Sequence, residues 1–299
     1  MTPYLAHMKH FYHSCCKGLK NDLLFADTIE LTAGINRIAV SYLYCLSQGI
    51  SIKIVAFCLL NNHFHFVLYG EEYEVAAFMN HYKLLTLKWI QIHRGERLHG
   101  DIEIGVWKAE TRERVRDKVI YTLRQTLETG MQVTPQGYPW CSARFMFCNS
   151  ASLLKNSIDI SEYGIRSARR DFHTGRPFPK EWKVILPEKL IWPGNYTDLG
   201  LAQNLFSGVK DFMFCLNNGN IDRSVNAEIM IESPSIPDTE IKDRADSMAK
   251  GLFGRKGVGA CSADERLKIA RLLRKEMHCG HKQLARVVKM LEEDLRKTV

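Results

Sequence analysis

The chain has 299 residues, of which 45% are apolar and 25% charged, with a formal charge of +8 at pH 7. This composition excludes a disordered polymer and favours one or two globular domains with a polyanionic partner, while nine cysteines without paired CxxC knuckles argue against a structural zinc site. Because no run of about 18 apolar residues and no signal-peptide core is present, we expect a cytoplasmic protein with no membrane partner.

The first half of the chain alternates between strand and helix patterns. In chain order, the spacing of apolar residues predicts a strand and loop in 11–27, a helix in 28–49, a buried strand in 51–70, a helix in 71–95, a strand in 101–111 and a helix in 113–130. This order predicts an α+β domain, an antiparallel sheet with helices on the sheet, which we assign to residues 1–147.

The second half divides into two further regions. Prolines interrupt residues 148–260, which we interpret as an extension with one helical stretch and a polar loop at 231–244. In residues 261–299, Ser262 and Glu265 form a predicted capping box, and Gly280 separates two amphipathic helices. This C-terminal pair fits a helix-turn-helix DNA-binding region, and an ordinary helical hairpin is the alternative.

Two histidines lie one residue apart in the apolar segment "NNHFHFVL" (61–68). In a strand, His63 and His65 project to one face while Phe64 and Phe66 project to the other. The pair therefore predicts either a divalent metal site or two partly exposed histidines.

A third ligand and a nucleophile are available on the helix predicted at 113–130. Tyr121 and Gln125 are four residues apart and share one helical face. A neutral site of His63, His65 and Gln125 leaves coordination positions open for a phosphate oxygen, and a phenol beside it is a candidate nucleophile toward phosphorus. The alternative is that Tyr121 is a half-buried aromatic residue and Gln125 a surface amide.

The segments "FYHSCCKGLKNDLLFAD", "AFCLLNNHFHFVLYG", "VWKAE", "YTLRQTLETGM" and "YPWCSARF" occur in the order seen in single-tyrosine HUH transposases. Over about residues 8–147 the chain most resembles the REP-associated tyrosine transposases of that superfamily. The resemblance implies an HUH endonuclease domain, with Tyr121 as the catalytic tyrosine and His63, His65 and Gln125 as ligands of Mg²⁺ or Mn²⁺. It also implies a substrate of single-stranded DNA with a hairpin, cleaved and rejoined through a 5′-phosphotyrosine.

Basic residues supply a candidate surface for the DNA backbone. They crowd the tyrosine helix and the C-terminal helices: Arg112, Arg114, Arg116, Lys118, Arg124, Lys282 and Arg286. Trp107 and Trp140 can stack on unpaired bases, although core packing is the commoner role of such residues. Each basic residue can equally belong to a solvated face.

Three points stay open at the level of the sequence. The family pattern has a proline after the tyrosine that "YTLRQTLETG" lacks, so a domesticated protein that binds hairpin DNA without cleaving it is an alternative function. An HUH replication nickase is another. Tyr82 competes with Tyr121 as the nucleophile, and both a monomer and a homodimer are compatible with the sequence.

Overall fold

The computed structural model describes residues 8–17, 19, 23–96, 98, 102–219, 238–277 and 279–298. The N-terminal elements follow the order β-α-β-β-α-β-α, ending in a short additional helix. They are β1 (His10–Lys17), α1 (Thr28–Ser47), β2 (Lys53–Leu59), β3 (Phe64–Gly70), α2 (Glu72–Arg94), β4 (Glu103–Ala109), α3 (Arg112–Leu123) and α4 (Gln125–Glu128). The predicted α+β class with an antiparallel sheet is confirmed.

The sheet has the strand order β2-β3-β1-β4, and every neighbouring pair is antiparallel. His13 lies opposite Trp107, and Cys15 lies opposite both His65 and Gly105. Because residues directly opposite one another project to the same face, these five residues share one face of the sheet.

Helices cover both faces of the sheet. On the face that carries His13 and His65, Val115 and Val119 of α3 pack against Val67 in one apolar cluster. On the other face, α1 and α2 pack against Phe64 and Phe66. The alternation of histidine and phenylalanine along β3 therefore separates a polar site from the larger core.

The single strand predicted over 51–70 is wrong, because the chain reverses direction there. β2 and β3 form an antiparallel hairpin, and His63 lies in its turn, directly before β3. Asn61 holds the turn, since its side-chain amide donates to the carbonyl of Phe25 at 2.9 Å and its own carbonyl accepts from the Phe25 N–H at 2.7 Å. Asparagines favour turns, whereas apolar content alone does not reveal a reversal.

The continuous helix predicted over 113–130 is interrupted at Arg124, which is not helical and has φ −87° and ψ 3°. α3 ends at Leu123 and α4 begins at Gln125. Even so, the Gln125 side chain remains next to Tyr121, because its Nε2 donates to the Tyr121 carbonyl at 3.0 Å. The side-chain proximity expected from the four-residue spacing is kept although the helix is broken.

The extension consists of short elements. They are α5 (Ser150–Leu153), β5 (Ser157–Asp159), α6 (Ile160–Tyr163), α7 (Ile165–Asp171), β6 (Lys183–Ile185), β7 (Leu190–Ile191), α8 (Leu199–Gln203) and α9 (Val209–Asn218). β5, β6 and β7 form a small antiparallel sheet. Phe212 and Leu216 of α9 join the apolar cluster under α3, so this part of the extension packs onto the first 147 residues.

The C-terminal helices share an apolar cluster of their own. They are α10 (Asp238–Phe253), α11 (Ala263–Met277), α12 (His281–Val288) and α13 (Glu292–Thr298). The capping box before α11 is confirmed, because Glu265 accepts from the Ser262 N–H at 2.7 Å while Ser262 accepts from the Glu265 N–H at 3.3 Å. The polar loop predicted over 231–244 lies partly outside the described residues and is helical from Asp238 onward.

Within the described ranges, each helix is too short or too polar to cross a lipid bilayer.

Candidate active site

Three histidines meet on the sheet face below α3. His13 Nε2 lies 3.2 Å from His65 Nδ1, and the ring centroids of His63 and His65 are 4.9 Å apart. His63 and His65 were predicted from the sequence, whereas His13 was not. A polar histidine inside the apolar strand segment "HFYHSCC" was a possible signal, but only the pairing of β1 with β3 brings His13 to the site.

Tyr121 lies over these histidines. Its ring meets His65 edge-on at a centroid distance of 5.4 Å and His13 at 5.6 Å. The side chain is half-buried, and burial raises the pKa of the phenol while the contact with Gln125 opposes that shift. The protonated phenol of Tyr121, on α3, therefore lies against His13 and His65 of the sheet.

Hydrogen bonds turn two acceptor atoms toward each other at the edge of the site. His63 Nδ1 donates to Asn62 Oδ1 at 2.6 Å, which leaves His63 Nε2 as an acceptor. Gln125 Nε2 donates to the Tyr121 carbonyl, which directs Gln125 Oε1 toward His63 Nε2 at 3.5 Å. Two acceptors facing each other repel unless a cation or a shared donor lies between them.

His65 offers a third acceptor in the tautomer in which its Nδ1 donates to His13 Nε2. Its Nε2 is buried and has no hydrogen-bond partner. Burial lowers the pKa of His13 to about 3 and that of His63 to about 4. Burial also lowers the pKa of His65 well below its usual value, with contributions from His63 and His13. All three imidazoles are neutral at pH 7, which is the form that binds metal ions.

These observations test whether a divalent cation fits the predicted ligands. His63 Nε2 and Gln125 Oε1 are neutral acceptors, and the unpartnered His65 Nε2 is a third when His65 Nδ1 donates to His13. Two imidazole nitrogens and an amide oxygen on neighbouring side chains are suitable ligands for a divalent cation. The only set of three His, Cys, Asp or Glu ligands within 4.8 Å of one another, among the described residues, is Asp27, Glu30 and His93. There the Glu30 carboxylate is already occupied by Arg94, so that set is an ion-pair site.

The predicted basic residues of the tyrosine helix fall into two groups. Arg112, Arg114 and Lys118 are exposed, and Lys118 Nζ lies 5.6 Å from the centre of the Tyr121 ring. Arg116 and Arg124 are half-buried and hold α9 in place, through Asp211 and through the Leu216 carbonyl respectively. Arg112 also donates to the Asn204 carbonyl.

The two C-terminal candidates differ in the same way. Lys282 is exposed at the start of α12. Arg286, one turn later, forms an ion pair with the buried Asp238 of α10 at 2.8 Å. The Arg286 charge also contributes to lowering the pKa of His63, so this part of α12 lies within electrostatic reach of the site.

The competing tyrosine is placed elsewhere. Tyr82 is completely buried on α2, against Phe64 and Phe66 on the opposite face of the sheet. Its hydroxyl has no partner, and burial raises the pKa of that phenol well above its usual value. The fold thus separates Tyr82 from the histidines by the thickness of the sheet.

Comparisons with known proteins give one match. No family model and no curated protein matches the sequence. Among solved structures, a REP-associated tyrosine transposase bound to a REP hairpin is similar over 46% of this chain and 80% of that chain, with 12% sequence identity and a TM-score of 0.33.

Proposed function

We propose that this protein cleaves and rejoins single-stranded DNA beside a hairpin, using Tyr121 as the nucleophile and a divalent cation held by His63, His65 and Gln125. The observation that carries the proposal is the placement of the Tyr121 ring against His65, next to the facing acceptors His63 Nε2 and Gln125 Oε1. A side-chain nucleophile beside neutral ligands for a divalent cation is an arrangement suited to metal-assisted phosphoryl transfer.

The proposed step exchanges one phosphoester bond for another. The Tyr121 hydroxyl oxygen bonds to phosphorus, the bond from phosphorus to the 3′-oxygen breaks, and the phenolic proton is balanced by one taken up at that oxygen. A bound Mg²⁺ or Mn²⁺ would withdraw charge from a non-bridging phosphate oxygen. Attack by another strand's 3′-hydroxyl on the phosphotyrosine reverses the exchange, so no external energy source is needed.

The chain's own side chains prepare this step in three ways. α3 fixes the phenol against His13 and His65, Asn62 fixes the orientation of His63, and the Tyr121 carbonyl fixes the Gln125 amide. The exposed Lys118 next to the Tyr121 ring places a positive charge where an incoming phosphate would lie. Exposed Arg112 and Arg114 extend that charge along the same helix.

The test is the formation of a covalent adduct with DNA. Purified protein would be incubated with labelled single-stranded hairpin DNA from its own genomic flank, with Mn²⁺ or EDTA, and run on a denaturing gel. We expect an Mn²⁺-dependent adduct in the wild type and its loss in Tyr121→Phe. Tyr82→Phe is the matched control, because it removes the same hydroxyl on the opposite face of the sheet and should leave the adduct unchanged.

Each outcome assigns the function. An adduct that survives in Tyr121→Phe would remove Tyr121 as the nucleophile. Tight hairpin binding with no adduct in the presence of Mn²⁺ would favour the non-cleaving DNA-binding alternative. Cleavage and adduct formation on replication-origin DNA, but not on flanking hairpins, would favour the nickase.

A further inference from the structure

Trp107 lies exposed beside the candidate active site. It is on the edge strand β4 with 53% of its surface exposed, and its ring stacks with His13 at a centroid distance of 5.9 Å and an interplanar angle of 26°. His13 in turn contacts both His65 and Tyr121. The indole is therefore separated from the proposed nucleophile by a single side chain.

Two features fix the position of the indole. His13 and Trp107 are directly opposite each other in the antiparallel pair of β1 and β4. A glycine two residues earlier leaves the space in which the indole rests, because a Cβ at Gly105 would lie 2.1 Å from the Trp107 ring. An exposed aromatic ring that is held by its neighbours presents a flat surface at little cost in side-chain entropy.

The other tryptophans are placed differently. Trp182 and Trp192 are buried, and both belong to the core on the α1 and α2 side of the sheet. Trp140 is half-buried, with its Nε1 donating to Thr32 at 3.2 Å. Trp89 is half-buried and stacks on His93. Of the two tryptophans that the sequence suggested for base stacking, only Trp107 has both exposure and proximity to the histidines.

We propose that Trp107 is a stacking subsite for one unpaired nucleobase of the strand whose phosphate reaches Tyr121. The inference rests on the proposed function and adds to it the position of a base. Every nucleobase can stack on an indole face. The subsite therefore increases binding affinity and positions the DNA strand, but it does not distinguish one base from another. Lys118, on the adjoining helix beside Tyr121, supplies the positive charge that a backbone next to a stacked base requires.

Binding of DNA, rather than cleavage, is the appropriate measurement. Fluorescence anisotropy with labelled single-stranded hairpin DNA would be recorded for Tyr121→Phe alone and combined with Trp107→Ala, Trp107→Phe or Gly105→Ala. We expect Trp107→Ala to weaken binding about 5- to 100-fold, as for the loss of one base-aromatic stack, and Trp107→Phe to retain most of the affinity. Gly105→Ala should also weaken binding, because its methyl group displaces the indole.

Single abasic substitutions along the DNA identify the stacked base. At one position, removal of the base should weaken binding of the DNA to the Tyr121→Phe protein. The same removal should not change binding to the protein that carries both Tyr121→Phe and Trp107→Ala. Val106→Ala is the matched control, since Val106 is also exposed on β4 but projects to the opposite face. Thermal unfolding of each variant checks that the fold is kept.

The outcomes separate the two proposals. Equal affinities for Trp107→Ala and Val106→Ala, with DNA bound tightly, would overturn the stacking subsite and leave the proposed function intact. Absence of hairpin DNA binding by the Tyr121→Phe protein itself would overturn the proposed function and this inference with it. An abasic effect that persists equally in Trp107→Ala would place the base elsewhere and overturn the subsite.

Discussion

His63 and Gln125 show how neighbouring groups set the chemistry of single residues. The Asn62 side chain and the Tyr121 carbonyl each take a donor from the site, so that His63 Nε2 and Gln125 Oε1 are left as acceptors 3.5 Å apart. Without a cation this arrangement is unfavourable, because the partial negative charges of both atoms face each other. In the proposed site, Asn62 and the Tyr121 carbonyl therefore orient the two proposed ligands.

At this scale we predict that Mn²⁺ stabilises the protein against thermal unfolding in the absence of DNA. A ligand at 100 times its Kd raises the free energy of unfolding by about 2.7 kcal/mol. His63→Ala and Gln125→Leu should each reduce the Mn²⁺-induced rise in Tm, since each removes one acceptor. Differential scanning fluorimetry with a titration of Mn²⁺ measures the effect.

The matched control for His63→Ala is His81→Ala. His81 is half-buried on α2, where it stacks on Tyr44 and bonds Ser41, on the far side of the sheet. Its substitution should leave the Mn²⁺-induced shift unchanged. A shift that is the same in the wild type, His63→Ala and Gln125→Leu would exclude these residues as ligands.

At the scale of elements, a buried ion pair joins the start of α1 to the end of α2. Arg94 contacts both carboxylate oxygens of Glu30, at 2.8 and 2.6 Å, and also donates to the carbonyls of Leu23 and Leu24. Glu30 further accepts from the Ala26 N–H at 2.6 Å. This network ties together the two helices that support the side of the sheet opposite the histidines.

We predict that Arg94→Leu lowers the free energy of unfolding by roughly 3–5 kcal/mol, because it leaves the Glu30 carboxylate buried without its partner. Urea denaturation measures the change. The double variant Glu30→Gln with Arg94→Leu should lose less than Arg94→Leu alone, since no charge is then stranded. An equal or greater loss in the double variant would contradict this explanation.

The exposed pair of Lys53 and Asp198 provides the comparison. Its two side chains are 48% and 33% exposed, against 9% and 2% for Arg94 and Glu30. Lys53→Ala should therefore change the free energy of unfolding by less than about 1 kcal/mol. The contrast separates a buried pair that fixes two helices from a solvated one.

At the scale of the whole molecule, the formal charge of +8 does not measure how many basic side chains could contact DNA, because some of them form ion pairs within the protein. Arg116, Arg124 and Arg286 are engaged with Asp211, Glu128 and Asp238 respectively. Arg114, Lys118 and Lys282 are exposed. Net charge alone thus overstates the number of phosphate contacts that the protein can make.

We predict that Lys282→Ala changes DNA binding but not stability, whereas Arg286→Ala changes stability. Lys282→Ala should weaken hairpin DNA binding and reduce the slope of log Kobs against log salt by about 1, with no loss of stability. Arg286→Ala should instead lower the stability of the C-terminal helices, because it strands the buried Asp238 carboxylate. Anisotropy at several salt concentrations and thermal unfolding distinguish them.

Equal effects of both substitutions on the salt slope, with unchanged stability, would show that Arg286 leaves Asp238 to bind phosphate. This test therefore distinguishes basic residues of the proposed DNA-binding surface from those that stabilise the fold. The structure places them in these two groups by their pairing and burial, neither of which is encoded in residue type.

The sequence by itself determined the features that depend on local periodicity. The helices predicted at 28–49 and 71–95 correspond to Thr28–Ser47 and Glu72–Arg94, and the capping box at Ser262 forms as expected. Apolar spacing, capping residues and terminal glycines are local patterns that span only a few residues, so helices and their ends can be predicted from the sequence.

Tertiary structure alone decided which residues meet. His13 and His65 are 52 residues apart, and their contact depends on the hydrogen-bonded pairing of β1 with β3, which no local pattern specifies. The pairing of β1 with β4 brings Trp107 beside His13, while the sheet separates Tyr82 from the histidines. Long-range strand register thus brought His13 to His65 and Trp107 to His13, and the packing of α3 on the sheet added Tyr121.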